Sequence, residues 1–192
     1  MVMPADYFKS EFAKPDENLI NTEHKHMEAL QLAQKIVPNI DIVTPVDSSE
    51  MAYTLTIQLA QKHTKRNKIL IIDTPLVIKN DQALEIDKNT DFILADDTAQ
   101  LCEAIACSEE RIAAIVVKHV QFSPYYYKKV RELASAEGAI MIFDLLNMPS
   151  INEINHFKIS KNSLPDIICI NLTLKIPSIW VGGRADLMSI VI

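Results

Sequence analysis

Apolar positions along this 192-residue chain fall into two patterns. Some recur every three to four residues; others form compact runs with almost no polar alternation. Met27, Leu30, Ala33 and Val37 belong to the first kind and predict a helix from Thr22, ended by Pro38. A second helix is expected in "DSSEMAYTLTIQLAQKHTKRNK", capped by Asp47 with Glu50 reaching back, and burying Met51, Leu55 and Leu59. A short one follows in "DDTAQLCEAIA". Another begins at the cap Ser123 with Pro124 in its first turn, carries Tyr127, Val130 and Ala134 on one stripe, and stops at Gly138.

The compact runs read as buried strands. They are "KILII" (68–72), "FILA" (92–95), "RIAAIVV" (111–117), "AIMIFD" (139–144), "DIICI" (166–170) and "SIWV" (178–181), with "DIVTPV" as an extended segment before them. Strands of this kind separated by helices predict an α/β fold with a mostly parallel sheet flanked by helices. Ligands in such sheets sit beyond the carboxyl ends of the strands, here marked by Asp73, Lys118–His119 and Asp144. Residues 1–21, with Pro4 and Pro15, read as an N-terminal arm, and residues 74–91 as polar and irregular.

Composition narrows the function. Net charge is −6, without a basic run, and aromatic residues make up 6%, which argues against nucleic-acid binding. No apolar run is long enough for a membrane span and the N-terminus lacks signal-peptide order, so a cytoplasmic protein without membrane insertion is expected. Cys102, Cys107 and Cys169 suggest buried small apolar residues rather than a disulfide framework or zinc site. His24 and His26 point about 200° apart on a helix, so no metal site is expected there. Glycine is scarce: Gly138, Gly182 and Gly183 are the only three. Tyr125, Tyr126 and Tyr127 cannot all face one core, which makes them candidates for a protein interface.

Several segments, in order, resemble the class III pyridoxal-phosphate (PLP) aminotransferases, of the acetylornithine aminotransferase and glutamate-1-semialdehyde aminomutase type. "MEALQLAQKIVPNIDIVTPVDSSEMA" is similar to the region ending in F-V-N-S-G-T-E-A, and "RIAAIVVKHVQ" to I-A-A-V-I-V-E-P-V-Q. "YYYKKVRELASAEGAIMIFD" is similar to Y-L-x-x-L-R-E-L-C-x-x-x-G-A-L-L-I-F-D-E-V. "PDIICINLTLKIPSIWVGGRADLM" is similar to P-D-I-x-T-L-G-K-x-x-G-G-G-L-P-x-G-A-x-G-G-R-x-E-I-M. The resemblance implies a reduced type I PLP-transferase large domain over residues 22–192, with Asp144 at the aspartate that keeps the pyridinium nitrogen protonated. It places S-G-T on Ser48, Ser49 and Glu50, the ring-stacking aromatic on Leu76, and the family lysine on Leu172, with Lys175 three residues later.

From these replacements the chain is expected to bind no cofactor. It is expected to be a non-catalytic, aminotransferase-like pseudo-enzyme: a protein-binding or structural subunit of a larger assembly, through a partner or self-association. The alternative is an active PLP-dependent transferase using Lys175 and Asp144 in a rearranged site.

Overall fold

A computed structural model describes residues 17–73, 90–94, 98–118, 123–146, 160–172 and 179–189. The strands are β1 (Ile42–Val46), β2 (Lys68–Asp73), β3 (Thr90–Leu94), β4 (Ile112–Lys118), β5 (Ile140–Leu145), β6 (Ile167–Asn171) and β7 (Ile179–Gly183). They form one sheet in the order β1-β7-β6-β5-β4-β2-β3. β7 is antiparallel to both its neighbours, while the pairs β2–β3, β2–β4, β4–β5 and β5–β6 are parallel. β1 therefore points the same way as the parallel strands, and its end at Val46 lies on the edge where β2, β4, β5 and β6 also end. The mostly parallel α/β sheet expected from the uninterrupted apolar runs is the architecture observed. Pro45 fits because β1 is an edge strand, where a missing N–H breaks no ladder.

The helices are α1 (Glu17–Ile36), α2 (Ser49–Thr64), α3 (Thr98–Ala106), α4 (Pro124–Glu137) and the single turn α5 (Ala185–Met188). Side-chain alternation along the strands divides the interior in two. One layer joins Leu70, Val117, Phe143, Ile170 and Trp180 to Ala29 and Ala33 of α1 and to Tyr127 and Val130 of α4. The other joins Ile71, Val116, Ile142, Cys169 and Val181 to Ala52, Leu59 and Ala60 of α2 and to Leu187. At Gly182 an added Cβ would stand 3.0 Å from Ile40, 3.2 Å from Ile168 and 3.3 Å from Val43, so glycine lets the α1–β1 connection close over β7.

α4 matches its sequence signals. Ser123 accepts from the N–H of Tyr126, Pro124 opens the helix, and Gly138 ends it at φ +69°. Elsewhere the phase shifts. α1 begins at Glu17, inside the expected arm, since nothing after Pro15 breaks a helix. The cap of α2 is Ser48 rather than Asp47: its backbone is extended and its Oγ accepts from Met51 N–H at 3.1 Å. Glu50 thus sits in the first turn, where its charge suits the helix dipole, and not at the third position of a capping box. The expected α2 stripe holds at Leu59 and Leu55, which packs against the core, but not at its first residue. Ala52, Thr56, Leu59 and Ala60 are buried, and Met51, like Met27 of α1, is exposed.

Asp166, just before β6, ties the layers together. Its Oδ2 accepts from Arg131 of α4 at 2.7 Å and from the N–H of Met141 at 2.9 Å, and its Oδ1 accepts from Arg184 after β7 at 2.7 Å. Arg66 closes the opposite end, donating to the carbonyls of Ile112 and Glu137 at 2.9 and 2.8 Å.

Candidate functional site

The carboxyl ends of β2, β4, β5 and β6 bring Asp73, Lys118, Asp144 and Cys169 to one edge. Parity along the strands sets their faces. Asp144 follows Ile142, Lys118 follows Val116 and Asp73 follows Ile71, all of which pack in the α2 layer. Register makes Asp144 the neighbour of Lys118 on one side and of Cys169 on the other. α2 covers both flanks. Cys169 Sγ lies 3.9 Å from the carbonyl of Ala52 and 3.8 Å from Thr56 Oγ1, and Lys118 Nζ lies 5.6 Å from the ring centre of Tyr53. Asp144 is half-buried between these flanks, one oxygen accepting from the N–H of Leu146 at 3.1 Å.

Lys118 is 7% exposed, and its Nζ is 4.0 Å from Asp73 Oδ2. The strand ends flagged Asp73 and Lys118 in the sequence, but their pairing rests on β2–β4 register and carries no sequence signal. Burial pushes the Cys169 thiol far up, and the nearby Asp144 charge adds to this, so it stays neutral.

The other expected site residues fall as follows. Ser48 is half-buried and spends its hydroxyl on the cap, while Ser49 and Glu50 are exposed in the first turn of α2. Ser49 needs no glycine, because Lys65 is the one non-glycine residue with positive φ among the described residues. The exposed Glu50 can turn its carboxylate to water, so its charge does not close this helix end to an anion. Leu172 is fully buried in the opposite layer, beside Ile170, and does not face Asp144. Leu76 and Lys175 lie outside the described residues. Of the three tyrosines Tyr126 and Tyr127 are buried, Tyr127 tilted against Phe143 at 5.2 Å, because the first turn of α4 presses them on the sheet. Only Tyr125, 74% exposed, is available to a partner. Among the cysteines Cys169 is buried as expected, whereas Cys107 is exposed just beyond the end of α3. His26 packs edge-on against Trp180 with ring centres 5.0 Å apart.

No protein-family model matches the chain. A glutamate-1-semialdehyde 2,1-aminomutase from Desulforudis audaxviator is 27% identical over 217 aligned residues, a match covering 94% of this chain and 47% of that enzyme. A transaminase with PLP bound has the same fold at TM-score 0.68 and 20% identity, over 93% of this chain and 47% of its own. An omega-transaminase from Sphaerobacter thermophilus gives TM-score 0.66 and 17% identity, over 92% and 51%. The chain is thus similar in sequence to this aminomutase and shares its fold with these transaminases. It spans about half the length of the aminotransferase-type proteins it matches.

The expectation that no cofactor binds is corrected by this kinship, since a neighbour of the same fold carries PLP. The reasoning behind it rested on Ser49, Glu50, Leu172 and Leu76, the last of which lies outside the described residues. The first two leave the end of α2 open, and the third belongs to the core of the other layer. Measured against PLP, the site offers a carboxylate at Asp144 for the ring nitrogen and a helix N-terminus for the phosphate, on the same face of the sheet. The residues present fit the group. No helix among the described residues is long and apolar enough to cross a membrane.

Proposed function

We propose that this chain is an aminotransferase-like unit that takes PLP at the carboxyl edge of its sheet and works within a larger protein assembly. The observation that carries this reading is the position of Asp144. It stands between two strand ends that α2 touches, on the face that α2 covers. When bound, PLP supplies the electron sink for chemistry at an amine carbon. The chain's own residues orient and shield it. Asp144 holds a proton at the pyridine nitrogen. The first-turn N–H groups of α2 and the Ser49 hydroxyl meet the phosphate, with the helix dipole favouring its charge. Cys169, kept neutral by burial, presents an apolar floor beside Asp144.

A second reading is a non-catalytic subunit that keeps the scaffold for protein binding. Exposed Tyr125 and Met51 favour it, as apolar surface a partner or a second copy would cover.

Titration of the purified protein with PLP, wild type beside Asp144→Ala, tests the first reading. Saturable binding that the substitution weakens at least ~10-fold, a loss of about 1.4 kcal/mol, supports it. Binding that ignores the substitution removes its basis. An amino-transfer assay on the loaded protein then separates the two readings, since the second expects no turnover.

A further inference from the structure

Lys118 is the one buried lysine among the described residues, 7% exposed at the carboxyl end of β4. Register sets a carboxylate on each side of it. Asp144 is its partner on β5, and Asp73 follows Ile72, whose partner on β4 is Val117. Two acids on neighbouring strands thus compete for one ammonium. The amine is turned to Asp73, with Nζ 4.0 Å from Oδ2, beneath α2 and over the Tyr53 ring. Asp73 is 1% exposed, so salt and water screen this pair little. Burying an ion pair is often no better for stability than apolar packing. The stability of β4, apolar from Ile112 to Val117, therefore does not account for the pair.

We propose that Asp73 is a positioning residue for the site: it holds the Lys118 ammonium beneath α2 and so keeps that cation from competing with the pyridine nitrogen for Asp144. The inference rests on the proposed PLP site and goes beyond it by naming what guards its carboxylate. Neighbouring strands lie about 4.8 Å apart, so a lysine released from Asp73 can reach the acid on the next strand. An ammonium lodged there would offset the Asp144 charge. The carboxylate would then hold a proton at the ring nitrogen less well, because a nearby cation disfavours a second positive charge. In the wild-type chain the two acids divide the two cations. Asp73 takes the ammonium in the dry layer under α2, and the half-buried Asp144 serves the ring nitrogen. Asp73 acts through Lys118 and does not itself meet the ligand.

The test compares two ligands of the full chain by equilibrium dialysis: PLP, and its carbocyclic analogue with C–H in place of the ring nitrogen. Their affinity ratio reads the contact with Asp144, whereas general damage to the fold weakens both alike. Wild type should prefer PLP by about 10- to 100-fold, the range of a hydrogen bond to a charged group. Asp73→Asn should lose most of that preference, and adding Lys118→Met should restore it. Asp73→Ser stands in if the asparagine variant does not fold. A preference that survives loss of the Asp73 carboxylate, or that Lys118→Met does not bring back, overturns the inference and leaves the PLP site standing. An equal loss of affinity for both ligands does the same, since it marks a purely structural role. Wild type that binds neither ligand, or both equally, overturns the PLP site as well.

Discussion

Replacing Asp166 with asparagine should destabilise the fold measurably. Asp166 is 5% exposed and accepts three hydrogen bonds: from Arg131 and Arg184, both at 2.7 Å, and from Met141 N–H at 2.9 Å. Asparagine keeps the shape and one acceptor oxygen, but it removes the charge and turns an N–H2 group toward a guanidinium. The Arg131 side chain is 19% exposed, so losing its charged partner costs about 2 kcal/mol. Arg184 is 38% exposed and solvent screens it, which reduces its share to about 1 kcal/mol. The total of about 3 kcal/mol corresponds to a fall of about 6–12 °C in Tm for a chain of this size. Thermal unfolding of wild type and Asp166→Asn, followed by circular dichroism, reads it directly. Urea titrations should give a lower midpoint at unchanged slope. A Tm within about 2 °C of wild type would refute the view that this carboxylate holds α4, β5 and β7 together.

Other consequences follow from single contacts. Gly182→Ala must push Ile40, Ile168 or Val43 aside and should destabilise by about 1–3 kcal/mol, measured in urea. Gly138→Ala meets little but the Arg66 guanidinium at 3.5 Å, so its cost is backbone strain at φ +69°. That cost should be about 1 kcal/mol. With iodoacetamide, Cys107 should react first and Cys169 only on unfolding, because burial both shields that thiol and keeps it protonated; peptide mapping over time decides the order. The Arg184 guanidinium, hydrogen-bonded to Asp186, holds that carboxyl below its ordinary value. Its contribution is therefore complete above about pH 4 and lost as pH falls through the lowered folded value. Asp186→Asn should lower stability modestly at neutral pH, leave it nearly unchanged below the folded value, and so flatten the acid limb of the stability–pH curve.

Much of the fold was legible because buried parallel strands announce themselves as apolar runs. Each predicted run from 68 to 181 overlaps an observed strand, and α4 carried both its caps in sequence. Of the stripe Met51, Leu55 and Leu59 expected in α2, Leu59 is buried and Leu55 packs against the core, while Met51 lies exposed on the first turn. The tyrosines show the same limit. Their adjacency says that not all three face one core, but only docking on the sheet selects Tyr125 as the exposed one. At the site, the strand ends located Asp73, Lys118 and Asp144, yet their neighbour relations depend on strand order β5-β4-β2, which sequence order hides. Leu172 shows a related limit. Its distance along the chain matches a lysine position, while its place just past the end of β6 buries it in the opposite layer.

A crystal structure of the full chain grown with PLP tests the central claim most directly. The account expects density beneath the N-terminus of α2, with the ring nitrogen within hydrogen-bond distance of Asp144 and the phosphate against Ser49. PLP seated elsewhere, or a structure from PLP-saturated crystals with that edge empty, would contradict it.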